Sequence, residues 1–284
     1  MSEKVSPEEL SSRAQTEPPD GDGRGLLRCL VTNDDGIGSE GLRRLALVAA
    51  EAGLRVTVAA PTDDVSGASA SITAVEEEGR FMVERRRLAG LEDADAYAVR
   101  GLPAFIALTG SRGAFGDEPD IVLSGINAGS NTGYAILHSG TVGAALTAST
   151  NGCRAMAVSL APTTGDDWND VDWHWSTAAD LACTLLPWLA EAPAGTVLNL
   201  NVPNLPGGEV RGLRHATLAR FGAVQTNVVE RGEGYVRTEV SEIDAEYQPG
   251  TDAFLLRQGY ATLTALRPVS EATDVDLPVP VPTP

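Results

Sequence analysis

Two adjacent carboxylates, Asp34 and Asp35, come directly after the apolar run LLRCLVT (26–32) and Asn33, and are followed by Gly36. Adjacent side chains of a regular strand point to opposite faces. A sharp turn at Gly36, which tolerates backbone angles other residues avoid, lets both carboxylates converge on one crevice. Two uncompensated carboxylates in such a place repel each other, and their natural partner is a hard divalent cation held by oxygen donors. A plainer role fits the same residues: Asp34 as the cap of the helix that follows and Asp35 in solvent, since Asp is among the preferred caps. A third reading comes from Gly36-Ile37-Gly38-Ser39-Glu40-Gly41, which matches the G-x-G-x-x-G turn of dinucleotide-binding folds. Against it, the two carboxylates would oppose a pyrophosphate. The next strand also ends in Ala59-Ala60-Pro61, where a ribose-binding acid would be expected, with Asp63 lying slightly beyond.

The elements around this turn alternate between short apolar runs and amphipathic stretches. LLRCLVT (26–32) leads to a helix-like span from Ser39 to Ala52, then to LRVTVAA (54–60). The series continues with a helix over 103–111, the strand DIVLSG (120–125), a helix from about 141 to 150, the strand RAMAVSL (154–160) and a helix over 174–190. This is the βαβ pattern of a parallel sheet, so the acidic turn sits at its carboxyl edge, where such sheets bind ligands. After TVLNLNVP (196–203) the rhythm changes to short β-like runs broken by glycines over 210–240, and YATLTALRP (260–268) reads as a return strand. The organisation predicted is a tail over 1–24, a domain over 25–268 with a β-rich appendage at 205–245, and a Pro-rich tail over 269–284.

Composition excludes several functions. With 39 acidic and 21 basic residues the formal charge is −18, which repels duplex nucleic acid. Every basic residue except Lys4 is Arg, so neither a P-loop lysine nor a Schiff-base lysine is available. The cysteines, Cys29, Cys153 and Cys183, form no C-x-x-C motif and read as buried reduced thiols. No run approaches the ~18 apolar residues of a membrane span. The polar N-terminus also lacks the apolar core of a secretory signal, which predicts a cytoplasmic protein.

Six blocks in order, VTNDDGIGSEGL (31–42), VAAPTDDVSGASASIT (58–73), PDIVLSGINAGSN (119–131), HSGTVGAAL (138–146), LNLNVPN (198–204) and GTDAFLLRQGY (250–260), resemble the SurE-type survival-protein family of metal-dependent nucleotidases. The resemblance covers residues 26–268. It implies an α/β fold, a three-layer Rossmann-like arrangement around a mostly parallel sheet, with the β-rich C-terminal appendage used to form a homodimer or homotetramer. It implies one divalent ion per subunit, Mg²⁺ or Mn²⁺, on Asp34, Asp35, Ser66 and Asn127, all oxygen donors. The order of strands agrees, since the loops carrying these residues open at one sheet edge. Taken singly, Ser66 reads as a turn residue and Asn127 as an Asx turn. The resemblance further implies a phosphomonoester substrate, a nucleoside 5′- or 3′-monophosphate, with Asn131, Ser139, Gly140 and Thr141 as binding residues and Asp34, Asp35, Asn127, Ser139 and His138 as catalytic candidates. Ser139-Gly140-Thr141 opens a helix, whose free N–H groups and partial positive charge suit a phosphate; simple capping by Ser139 or Thr141 fits equally.

The sequence also departs from the family pattern. Gly101-Leu102-Pro103-Ala104-Phe105-Ile106 stands where relatives carry G-T-P-x-D-C, and Gly133-Tyr134-Ala135-Ile136-Leu137-His138-Ser139 replaces a segment richer in acids, while Ala70 replaces a small or polar residue. These changes spare the expected ligands and predict broad or altered specificity. His138 is a candidate proton donor for a leaving alkoxide, with a polar wall residue as its plainer role. His174 and His215 read as structural, Trp168, Trp173, Trp175 and Trp188 as packing residues, and the segment 163–172 as a lid. The alternative function is dinucleotide binding, or a catalytically idle relative with a regulatory role.

Overall fold

The computed structural model describes residues 26–162, 171–220, 224–242, 248–272 and 274. The expected N-terminal tail, most of the C-terminal tail, and most of the expected lid with Trp168 lie outside them.

In chain order the elements are β1 (Arg28–Thr32), α1 (Glu40–Glu51), β2 (Arg55–Pro61), β3 (Glu76–Glu77), β4 (Arg80–Phe81), β5 (Val83–Arg86), β6 (Asp95–Val99), α2 (Pro103–Gly110) and β7 (Ile121–Ala128). A 3-10 turn (Gly133–His138) leads into α3 (Gly140–Thr150), followed by β8 (Arg154–Ala161), α4 (Trp175–Glu191), β9 (Val197–Pro203), β10 (Leu213–His215), β11 (Val224–Gly232), β12 (Tyr235–Glu242), α5 (Asp252–Arg257) and β13 (Ala261–Leu266). Nine strands form one sheet in the order β10-β13-β9-β8-β7-β1-β2-β6-β5. It is parallel except where β5 meets β6 and where β13 meets β9. The α/β expectation and the mostly parallel sheet are therefore met. β11 and β12 form a separate antiparallel hairpin within the expected β-rich region, with Tyr235 and Val236 exposed.

The layers follow from the sequence pattern. The central strands β7, β8 and β9 are buried along nearly their whole length, as strands covered on both faces must be. On one face Leu42, Leu45, Ala46 and Ala49 of α1 recur at helical spacing and pack with Ala178, Ala182, Leu186 and Leu189 of α4 against Val31, Val58 and Leu123. On the other face Ile106 of α2 and Val142, Ala145 and Ala148 of α3 meet Leu30, Val122 and Ala157. Cys29 and Cys153 are buried and Cys183 is half-buried, all three as free thiols. Among the described residues no helix is long and apolar enough to cross a membrane.

Three features differ from the sequence expectation. The strand expected to stop at Gly125 runs on to Ala128, and its pairing with β8 slips between Ser124 and Asn127, so Asn127 stands at the irregular end of β7 and not in a loop after it. The short strands β3 to β6, together with α5, have too little apolar periodicity to be anticipated, whereas β10 falls within the β-like runs expected over 210–240. Trp188 does not pack: it is 58% exposed, whereas Trp173 and Trp175 stack with ring centroids 5.2 Å apart.

Gly41 sets how closely α1 approaches the end of β7. A Cβ there would run into the Ile126 carbonyl oxygen and lie 2.9 Å from Trp175 Cζ3. Replacing it therefore pushes the helix away from a backbone that cannot yield. Gly41→Ala is expected to destabilise the protein by about 1–3 kcal/mol, the usual cost of overpacking. Denaturant unfolding measures this, and an unchanged midpoint would contradict the close seating.

Candidate functional site

The order of strands fixes where a ligand can bind. β1 lies between β2 and β7, and the chain moves outward from β1 to β2 and β6 before returning to β7 on its other side. The crevice beyond the carboxyl ends of β1 and β7 is thus a topological switch point. Asp34 and Asp35 leave β1 there, Asn127 ends β7, Ser66 follows β2, and Ser139 caps α3.

Asp34 is only 3% exposed. Its Oδ1 accepts the Thr141 hydroxyl at 2.6 Å, and its backbone carbonyl accepts the Val65 N–H at 2.9 Å. Burial pushes its carboxyl above the ordinary Asp value, opposed by hydrogen bonds from the Thr141 hydroxyl and backbone N–H. A Cβ on Gly140 would come within 2.7 Å of Asp34 Oδ2, so the first residue of α3 has room for no side chain. The capping reading of Asp34 is thereby corrected. Ser39 caps α1, accepting the Leu42 N–H, and Asn33 donates to both Ser39 Oγ and the Gly36 carbonyl to hold the turn. Gly36 itself has φ +94° and abuts Asp63, so the turn needs glycine at this position.

Asp35 is half-buried, and not the fully solvated residue of the plainer reading. Its Oδ2 is buried and has no hydrogen-bond partner. Burial, followed by the charges of Asp34 and Asp64, pushes its carboxyl up to about 7, while the backbone N–H of Ala128 favours the ionised form. That N–H belongs to the residue after Asn127, which ties the end of β7 to the pair.

Most of the remaining expected residues make hydrogen bonds of their own. Ser66 gives both its N–H and its hydroxyl proton to Asp64 Oδ1. Asn127 donates its amide to the Gly129 carbonyl at 2.8 Å. Ser139 accepts the Val142 N–H as the α3 cap, so the capping role expected of it is present. Thr141 commits its hydroxyl to Asp34. Asn131 belongs to a polar seat: its amide donates to Ser159 Oγ, its N–H to Asn201 Oδ1, and its carbonyl accepts from Asn199 and Asn201. His138 is exposed at the end of the 3-10 turn. The Ser69 hydroxyl binds the neighbouring Leu137 carbonyl at 2.6 Å, linking the Ser66 loop to that turn. His174 holds the cap position of α4 and His215 is exposed on β10.

Sequence reasoning missed two contributors. Asp64, one of two acids in a turn, carries no distinctive spacing. Asp252, buried at the start of α5, accepts N–H groups from Gly133, Ala219 and Ala253 and so anchors the 3-10 turn; in sequence no spacing sets it apart from other acids. The block GTDAFLLRQGY containing it was the available signal.

These residues fit a divalent cation. Asp35 Oδ2 is a buried carboxyl oxygen without a partner, burial holds both carboxyls up, and the expected ligands Asp34, Asp35, Ser66 and Asn127 can all offer oxygen. Among the described residues no three His, Cys, Asp or Glu side chains gather as a cage, so a cation here would complete its shell from neutral groups such as Ser66 and Asn127.

Comparison with known proteins gives consistent results. The family described as "Survival protein SurE" matches residues 29–225. The protein named 5′-nucleotidase SurE from Halorhodospira halophila is 37% identical over 246 residues, covering 84% of this chain and 90% of its own length. A 5′/3′-nucleotidase SurE from Yersinia pseudotuberculosis is 33% identical over 247 residues, covering 85% and 90%. The crystal structure of SurE protein from Aquifex aeolicus aligns with a TM-score of 0.65 at 28% identity, covering 84% of this chain and 93% of that one.

The buried pair makes stability depend on pH in the absence of cations. Because the folded Asp35 carboxyl sits near 7, above its unfolded value of about 3.9, its contribution to stability is fully present below pH ~4 and is lost as pH rises through ~7. In chelator, wild type is expected to lose up to about 4 kcal/mol relative to Asp35→Asn between pH 4 and 8. Parallel thermal melts measure the difference, and matching pH profiles would contradict the burial.

Proposed function

The chain belongs to the survival protein SurE family, and from that membership and its buried carboxylate pair we propose that it is a divalent-metal-dependent phosphomonoesterase acting on nucleoside 5′- or 3′-monophosphates. The names of its relatives support a nucleotidase. The observation that carries the metal dependence is Asp35 Oδ2, buried beside Asp34 without a partner at the switch point of the sheet.

In this reading Asp34, Asp35, Ser66 and Asn127 hold one Mg²⁺ or Mn²⁺, which when bound supplies Lewis-acid polarisation of a phosphoryl oxygen. Thr141 keeps Asp34 in place. Ser139 and Gly140 at the start of α3, with Asn131 across the crevice, orient the phosphate, aided by the partial positive charge of the helix start. His138 gives a proton to the leaving alkoxide; its exposure next to Ser139 supports this. Tyr134 and Leu137, 63% and 71% exposed on the same turn, offer apolar area on a segment where the resemblance implies two acids at 134 and 135, which supports acceptance of aryl or other hydrophobic monoesters beside nucleotides. We also propose a homodimer or homotetramer, supported by the free-standing β11–β12 hairpin with its exposed Tyr235 and Val236, and a cytoplasmic location.

Phosphate release from nucleoside monophosphates and an aryl phosphate, with Mn²⁺ or excess chelator, tests the reading. Activity is expected only with the cation, kcat is expected to fall at least about 100-fold in Asp35→Asn with the fold intact, and kcat/KM ratios across substrates should stay within about 200-fold. Full turnover in chelator would refute the metal role. Selectivity of several orders of magnitude for one nucleotide would refute the breadth.

A further inference from the structure

Asp64 follows β2 in the same loop as Ser66, and its Oδ1 carries two hydrogen bonds: the Ser66 N–H at 2.8 Å and the Ser66 hydroxyl at 2.7 Å. The N–H contact is an ordinary Asx-type turn, which does not require the second bond. A serine hydroxyl has one proton and two lone pairs. With the proton committed to Asp64, Ser66 Oγ can only accept from, or donate electron pairs to, anything else that approaches, which is the state a cation ligand needs. The Val65 N–H fastens the same loop to the Asp34 carbonyl, so Asp34, Val65, Ser66 and Asp64 form one connected chain of contacts. Burial is the main reason that the Asp34 and Asp35 carboxyls are held up, and the charge of Asp64 adds to it in both, which locates Asp64 at the rim of the centre. It does not make a third carboxylate ligand, since no three acidic, histidine or cysteine side chains gather around an ion position among the described residues.

We propose that Asp64 is a positioning residue that acts through Ser66, fixing its hydroxyl with the lone pairs turned toward a divalent ion shared with Asp34 and Asp35. The proposal rests on the metal reading above. Partners that orient a metal ligand typically change affinity by about 10–100-fold when removed, and Asp64 is exposed, so its replacement leaves the core untouched.

Calorimetric titration of Mn²⁺ into the full chain tests it, using wild type, Asp64→Ala, Asp64→Asn, Ser66→Ala and the double Asp64→Ala/Ser66→Ala variant. Metal-free melts serve as a check on folding. Asp64→Ala and Ser66→Ala are each expected to weaken Mn²⁺ binding by about tenfold or more. The double variant should fall within about twofold of Ser66→Ala alone, because both changes remove the same interaction. Asp64→Asn keeps an acceptor oxygen for Ser66 and should lose less than Asp64→Ala. Wild-type affinity in Asp64→Ala would overturn the proposal while leaving the metal reading intact, as would losses that multiply in the double variant or an Asn variant as weak as the Ala variant. A wild-type chain that binds no Mn²⁺ would overturn the metal reading and this proposal together.

Discussion

Two carboxylates buried side by side at the end of a central strand are the constraint around which this molecule is arranged. Burial alone makes an ionised Asp costly, and a second anion next to it adds to that cost. The structure answers with local support from three directions. α3 delivers the Thr141 hydroxyl and N–H to Asp34, and Gly140 keeps the helix start close enough to do so. The end of β7 brings the Ala128 N–H to Asp35, and Gly41 lets α1 close down on that same strand end. One oxygen, Asp35 Oδ2, is left with no partner from the protein, and it is the observation from which a cation is proposed here.

The outer layer of the site is held by groups that never reach its centre. Asp252 gathers the N–H groups of Gly133 and Ala219, so the 3-10 turn carrying Tyr134 and His138 is pinned to the far end of the sheet. Asn199 and Asn201 hold the Asn131 carbonyl from β9, and Ser159 holds its side chain from β8. The residues proposed to face the substrate therefore sit on segments whose bases are fixed by buried polar contacts, an arrangement that lets exposed side chains vary without disturbing the carboxylates. Tyr134, Ala135 and His138, all exposed, fall in that layer.

Much of this was legible in the sequence. The βαβ rhythm located Asp34 and Asp35 at the carboxyl edge because alternating apolar runs and amphipathic helices admit few topologies. The helix starts near Ser39 and Ser139 were readable for the same reason, but Asp34, itself a preferred capping type, drew the cap reading that belongs to Ser39. What stayed hidden depends on contacts between segments distant in the chain. Nothing local tells that Thr141 will bond Asp34, 107 positions away, or that Asp252 will reach Gly133 across 119. The extension of β7 through Asn127 was missed because Gly125 reads as a stop, whereas here it lies within the strand with φ +136° and meets the Val158 carbonyl so closely that a Cβ has no room.

The central claim, that the buried pair is kept for a divalent cation, is tested most directly by the protons released when the cation binds. An Asp35 carboxyl held near 7 is largely protonated at pH 6 and must lose that proton to become a ligand. Calorimetric titration of Mn²⁺ in buffers of different ionisation enthalpy should show release of about one proton per ion near pH 6, fading to none by about pH 8.5. Mn²⁺ binding at pH 6 with no proton release would mean that the pair is already ionised in the free protein, and that its burial does not reserve it for a cation.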